Sequence, residues 1–176
     1  MTEAVLPAPR TLGTGFTPSA TARLMALLIP VALLGGALFS QYVGRLYPCE
    51  MCWWQRYPHA AAILLAAAAF LFAAGSSRAR TLTALAALAI AVSGAIGVYH
   101  AGVEAKIFEG FTTCTTTTHA GNPADVLAQI MKTPLIRCDQ VQWRFLGLSL
   151  AAWNALISLS GAAAITILLA RKETVR

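Results

Sequence analysis

Four runs without a single Asp, Glu, Lys or Arg, residues 24–44, 57–77, 81–103 and 145–170, hold 21, 21, 23 and 26 residues and fill about half of the 176-residue chain. At about 1.5 Å of rise per residue, each run is long enough as a helix to cross a hydrocarbon core of about 30 Å. Lipid offers backbone N–H and C=O groups no partners, so such runs have to satisfy themselves as helices. The expected fold class is therefore all-α: an integral-membrane four-helix bundle. Composition agrees, since 57% of the residues are hydrophobic and only 11% are charged, a balance that a soluble domain rarely shows.

Charge orients the spans. The segment before the first run, residues 78–80 and the tail fall on one side and carry Arg10, Arg23, Arg78, Arg80, Arg171, Lys172 and Arg176 against Glu3 and Glu173. The other side has Arg45, Arg56, Lys106, Lys132, Arg137 and Arg144 against five acids, Glu50, Glu104, Glu109, Asp125 and Asp139. The excess of basic residues near span ends places both termini in the cytoplasm. All four cysteines then face the opposite, oxidising side, where disulfides persist. The net charge of +6 needs no nucleic acid to explain it, because the basic residues bracket spans. The first run has no clear small-residue cleavage site after it and is expected to be retained.

The chain is expected to comprise a flexible cytoplasmic leader over 1–22, a four-span domain over 23–172 with an external loop at 104–144, and a cytoplasmic tail over 173–176. Within the leader, Thr17 before Pro18 also reads as a helix start, with Thr as cap and Pro at the first helical position. Gly35-Gly36 offers either a close helix contact or a bend. A tight turn is expected at residues 76–80. Ala84, Ala87, Ala91 and Gly94 form a small-residue stripe on the third span, and Ser158 with Gly161 or Ala162 forms another on the fourth. In the external loop, Asn122-Pro123 opens a short amphipathic helix over about 123–132 that lies on the membrane surface. Trp143 and Trp153 are expected at the lipid–water boundary.

Chemistry concentrates in Tyr47-Pro48-Cys49-Glu50-Met51-Cys52-Trp53-Trp54-Gln55-Arg56-Tyr57-Pro58-His59, a CxxC pair at the mouth of the second run. Such a pair can be redox-active, staple a turn or supply two zinc ligands. A second pair, Cys114 and Cys138, lies 24 positions apart in the long loop. That spacing and the oxidising side favour disulfides over a four-cysteine zinc site, and no metal is expected. Attached haem is disfavoured because Trp53, rather than a histidine, follows Cys52. If Cys52 and Arg56 share a helix, their i,i+4 spacing lets the guanidinium favour a Cys52 thiolate and stabilise an oxygen gaining electron density on a bound quinone. His100, near the outer end of the third span, is placed to hydrogen-bond the same acceptor. Gln41, Gln55 and Asn154 could add directional contacts and Trp53 and Trp54 a wall, whereas His59 reads mainly as core and His119 has no comparable surroundings.

With these features together, the chain resembles the disulfide-bond-formation protein B family of bacterial membrane thiol oxidases over residues 20–172. The likeness rests on Pro48-Cys49-Glu50-Met51-Cys52 followed by Gln55-Arg56, on His100 after the third span, and on Cys138-Asp139-Gln140-Val141-Gln142-Trp143-Arg144-Phe145-Leu146-Gly147-Leu148. The resemblance implies a bacterial inner-membrane enzyme that reduces ubiquinone or menaquinone while reoxidising a periplasmic thioredoxin-like thiol:disulfide oxidase. It also implies the relay: the partner attacks a Cys114–Cys138 disulfide at Cys114, Cys138 attacks a Cys49–Cys52 disulfide at Cys49, and Cys52 faces the quinone with Arg56 and His100. Gln55 stands where some relatives carry an acid. Two alternatives remain open: a vitamin-K-epoxide-reductase-like thiol oxidoreductase, and a disulfide-stapled membrane assembly protein with no turnover.

Overall fold

The computed structural model describes residues 17–110, 122 and 136–171. Four long helices dominate: α1 (Pro18–Tyr42), α2 (Glu50–Ala69), α3 (Ser77–Glu104) and α4 (Leu150–Ala170). Each of α1 and α3 packs on both α2 and α4, which closes the four into a bundle. Of these, α1, α3 and α4 are long and apolar enough to cross a membrane. The first half of α2 carries Glu50, Gln55, Arg56 and His59, and its second half is rich in alanine and leucine. The expected small membrane bundle is therefore present, with the polar residues of α2 gathered in its first half.

Local sequence explains the starts. Thr17 caps α1 by accepting from the Ala20 amide, with Pro18 opening the helix, so the helix takes in residues 18–22 of the segment read as leader. Ser76 caps α3 and Ser149 caps α4 in the same way, each satisfying one of the amides that a helix start leaves open. The turn expected at 76–80 lies earlier, between Ala69 and Ser76, and Arg78 and Arg80 already belong to α3. Arginines close the helix ends there. Arg23 donates to the carbonyls of Ala69 at 3.2 Å and Phe72 at 2.9 Å, and Arg80 donates to Leu169 O at 2.6 Å. Cations at carbonyl-rich C-termini are favourable in both charge and hydrogen bonding, so these residues do more than mark a side of the membrane.

Small residues set the helix spacing, though not all of those expected. A Cβ on Gly94 would meet the Leu159 side chain at 2.9 Å, and one on Gly97 would meet the Ala151 carbonyl at 3.0 Å. α3 and α4 therefore touch almost backbone to backbone. The buried face of α3 runs through Thr83, Ala86, Ala87, Ile90, Ser93, Gly94 and Gly97, whereas Ala84 of the anticipated stripe is exposed. On α4, Ser158, Gly161 and Ala162 are buried as expected. Gly35 and Gly36 make no close helix contact, because nothing lies within 4 Å of a Cβ at either.

The run 145–170 does not start as helix. Arg144–Phe145 (β1) and Leu148–Ser149 (β2) form an antiparallel two-stranded ribbon. Leu146 and Gly147 turn it with φ of 49° and 82°, both left-handed as a two-residue hairpin requires. Trp153 Nε1 donates to Phe145 O at 2.9 Å and ties the ribbon to α4. The proposed surface helix over 123–132, Cys114 and His119 lie outside the described residues.

Candidate redox site

The CxxC pair sits at the start of α2. Cys49 is its N-cap, in extended conformation, and the Cys52 amide points at Cys49 Sγ from 3.4 Å. The two sulfurs lie 3.0 Å apart, with the Cys49 thiol directed at Cys52. Cys138 is brought in from the far loop: it is buried with Cys49, Met51 and Val103 in one cluster and hydrogen-bonds the Cys49 sulfur. Two cysteines 89 positions apart thus meet, as an exchange between the two pairs requires. The Cys49 thiol donates toward Cys138 and then Cys52, and these bonds, with burial behind them, push it up.

The segment carrying Cys138 is pinned on both sides. Asp139 pairs with Lys106 at 2.5 Å and with Arg137 at 2.8 Å. Gln142 Nε2 donates to Tyr47 O at 2.8 Å, next to the first cysteine pair.

Behind the sulfurs runs a buried chain of polar groups. His100 Nε2 is 3.6 Å from Cys49 Sγ and 3.9 Å from the Glu104 carboxylate. Its Nδ1 is 2.8 Å from Gln55 Nε2, and Gln55 Oε1 accepts from Asn154 Nδ2 at 2.8 Å. Asn154 Oδ1 meets His59 Nε2 at 2.8 Å and also accepts from Ser158. Ser93 completes the group, donating to Gln55 O at 2.8 Å with His59 Nε2 at 2.9 Å. That serine supports α2 where Pro58, inside the helix, interrupts the regular ladder. Polar groups buried in a membrane bundle are costly unless partnered, and here α2, α3 and α4 partner one another.

Two carbonyls settle the orientation of the amides. Gln55 Nε2 donates to Met51 O and Asn154 Nδ2 to Ser93 O, each at 3.2 Å, and a carbonyl can only accept. The nitrogen of Gln55 therefore faces His100 Nδ1, which leaves the His100 hydrogen on Nε2, toward Cys49. Likewise, the oxygen of Asn154 faces His59 Nε2, which must carry the hydrogen. His59 Nδ1 is buried with no hydrogen-bond partner among the described residues.

On the α1 side, Arg56 is 8% exposed. It donates to Gln41 Oε1 and, at 3.1 Å, to Ala37 O, and its guanidinium lies 5.0 Å from the centroid of Trp53. Cys49, Cys52, Gln55, Arg56, His59, His100 and Asn154 border one mostly apolar cleft of about 560 Å³, walled by α1 residues such as Leu33, Gly36 and Phe39. Cys49 Sγ, Cys52 Sγ and His100 Nε2 also lie within 4.8 Å of one another, a donor set that a soft cation could use while the sulfurs are reduced.

The sequence expectations for Cys49, Cys52, Cys138, Arg56 and His100 thus fall in one place, and Gln41, Gln55 and Asn154 join them. His100 meets Gln55, the Cys49 sulfur and the Cys138 backbone. His59, read as core, is part of the polar chain. Ser93 was missed, and Ser158 was read only as a packing residue. Ser93 is a lone hydroxyl in an apolar run, and its spacing on the buried helix face was the available signal.

The model of the family "Disulfide bond formation protein DsbB" matches residues 19–168. This chain belongs to the DsbB family. Disulfide bond formation protein B of Polaromonas sp. is 34% identical over 161 residues, covering 82% of this chain and 90% of its own. The protein of that name from Methylococcus capsulatus is 33% identical, covering 86% and 94%, and that from Shewanella sp. MR-4 is 31% identical, covering 84% and 86%. No solved structure matches the chain significantly. As a DsbB-family protein it is a membrane thiol oxidoreductase with a quinone-linked redox role.

Proposed function

We propose that this DsbB-family protein is a protein dithiol:quinone oxidoreductase of the bacterial inner membrane. It reoxidises a periplasmic thioredoxin-like thiol:disulfide oxidase at the expense of ubiquinone or menaquinone, with both termini cytoplasmic. The observation that carries this reading is the meeting of Cys138, from the external loop, with Cys49 at a cleft that Cys52 and Arg56 also border. A loop sulfur and a sulfur bordering the apolar cleft are thereby brought together.

In the proposed relay, a partner thiolate attacks the Cys114–Cys138 disulfide at Cys114, forming a mixed disulfide and releasing Cys138. Cys138 attacks the Cys49–Cys52 disulfide at Cys49, and Cys52 leaves as thiolate. The partner's second thiol displaces Cys114 and leaves the partner oxidised. Cys114 then displaces Cys49 from Cys138, restoring the outer disulfide, and Cys49 and Cys52 stand reduced. Cys49 and Cys52 then re-form their disulfide, and a bound quinone would supply the acceptor for the two electrons and two protons released. Each exchange needs only a thiolate aligned on a disulfide, with no metal or nucleotide.

The chain's residues suit that acceptor. The apolar cleft admits a flat ring and a lipid tail, and Gly36 leaves space at its wall. Arg56, held by Gln41 and Ala37, supplies fixed positive charge one helical turn beyond Cys52, favouring both a Cys52 thiolate and an oxygen that gains electron density. His100 Nε2 lies 3.6 Å from the Cys49 sulfur while the ring donates to the Cys138 backbone carbonyl, so it holds the Cys138 segment beside Cys49 at the quinone site.

Anaerobic turnover in lipid with a reduced partner and defined quinones, quenched and read by cysteine-specific mass spectrometry, tests the reading. Quinol should form in step with partner disulfide, with Cys114 mixed disulfides trapped at early times. Partner turnover that leaves quinone oxidised overturns it.

A further inference from the structure

We propose that His59 Nδ1 accepts a hydrogen bond from a hydroxyl of the reduced ring, so that the cleft binds quinol in preference to quinone. This inference rests on the quinone-reducing role proposed above and names a contact that role does not supply.

The argument is one of hydrogen-bond capacity. His59 is 3% exposed, and its ring borders the cleft three residues beyond Arg56 on α2. Its Nε2 hydrogen is committed to Asn154 Oδ1 and Ser93 Oγ. Since Ser93 O fixes the Asn154 amide, flipping the ring would forfeit its hydrogen bonds to Asn154 Oδ1 and Ser93 Oγ. Nδ1 is therefore a lone-pair acceptor, buried and without a partner among the described residues. Buried acceptors in native structures normally have partners, and an unsatisfied one calls for a ligand or a water.

The ligand must bring a hydrogen. A quinone has only carbonyl oxygens and gives Nδ1 nothing, whereas a quinol carries two hydroxyls. Arg56, with donors alone, serves an oxygen lone pair in either state. The pair of contacts on α2 is thus asymmetric: Arg56 holds the ring before and after reduction, and His59 distinguishes the two. Tighter binding of the reduced form makes the bound acceptor more oxidising, by about 30 mV for each tenfold preference in a two-electron couple, which drives oxidation of the Cys49/Cys52 dithiol.

The test uses the full-length protein in nanodiscs with Cys52→Ser, which stops electron transfer, titrated by tryptophan fluorescence with decyl-ubiquinone and decyl-ubiquinol. Quinol should bind more tightly, and His59→Phe should weaken it about tenfold, the scale of one hydrogen bond, while quinone affinity stays within about twofold on the same scale. His59→Gln, which restores an acceptor, should recover much of the preference. The dimethyl ether of the quinol, titrated against the protein with His59 intact, should lose the preference, an arm that does not depend on the His59 variants folding. Equal affinity for quinol and its ether, or equal weakening of quinol and quinone by His59→Phe, overturns the contact and leaves quinone reduction standing. Absence of binding by either form defeats the quinone reading itself.

Discussion

Gln55 Nε2 on α2 stands 2.8 Å from His100 Nδ1 on α3, and this contact decides which face of the histidine meets the sulfur. Gln55→Leu strands His100 Nδ1 in the bundle and takes one of its acceptors from Asn154 Nδ2, which keeps Ser93. The expected loss is about 1–3 kcal/mol, the penalty for buried groups left unsatisfied, read as a lower unfolding midpoint in detergent. Gln55→Glu should fold, because a carboxylate still accepts from Asn154. It reverses the bond to His100, however, moving a hydrogen onto Nδ1. Quinone reduction in that variant should depend on pH differently from the parent protein, and matching profiles would show that Gln55 does not orient His100.

Two glycines separate packing from sequence pattern. Gly97→Val drives a side chain into the α4 backbone, at the Ala151 carbonyl and the Ala155 amide, and neither can swing aside. It should destabilise by about 1–3 kcal/mol, as overpacked sites do. Gly35→Ala enters open space on α1 and should be neutral or stabilising by up to about 1 kcal/mol through helix propensity. Thermal unfolding of both variants checks the contrast, and equal losses would contradict the spacing of α3 and α4.

The inner and outer halves of the relay should be separable. Cys52→Ser is expected to retain a mixed disulfide with the partner while abolishing quinol formation. Arg56→Met should slow quinone reduction by at least about tenfold, the scale of losing a charge-assisted contact of 1.5–3 kcal/mol, with little effect on the external disulfide. Stopped-flow quinone absorbance and gel-shift trapping of the mixed disulfide measure the two steps. Equal loss at both, with the fold intact, counts against Arg56 acting at the acceptor.

Much of this architecture was legible because lipid allows so few solutions. Uncharged runs of span length had to become helices, and Thr17-Pro18 signalled the first start correctly. The ribbon at 144–149 was hidden, since Phe145, Leu146 and Leu148 are as apolar as the helix that follows. Only Gly147 hinted at a turn. The cysteine, arginine and histidine positions could be read because residues of those types have few reasons to cluster at a span end. The role of His59 was not legible. Whether a buried histidine is core or ligand depends on which ring nitrogen is already occupied, and that follows from Asn154, 95 positions away.

Asp139 joins two parts of the outer face through Lys106 and Arg137. Arg137 first, then Lys106, holds its carboxyl well below the usual carboxylate range. A group whose folded value is depressed contributes stability above its unfolded value, ordinarily 3.8, and loses it as pH falls through the lower, folded value. The clasp on the Cys138 segment should therefore hold at neutral pH and at mildly acidic pH, releasing only in strong acid. Lys106 is 64% exposed, so salt should loosen the clasp at neutral pH. Hydrogen exchange across residues 136–144 reads the clasp directly. Asp139→Asn should exchange faster than the parent protein at neutral pH and equally fast in strong acid. A difference that persists in strong acid, or none at neutral pH, would show that the ion pairs do not restrain the segment that delivers Cys138 to Cys49.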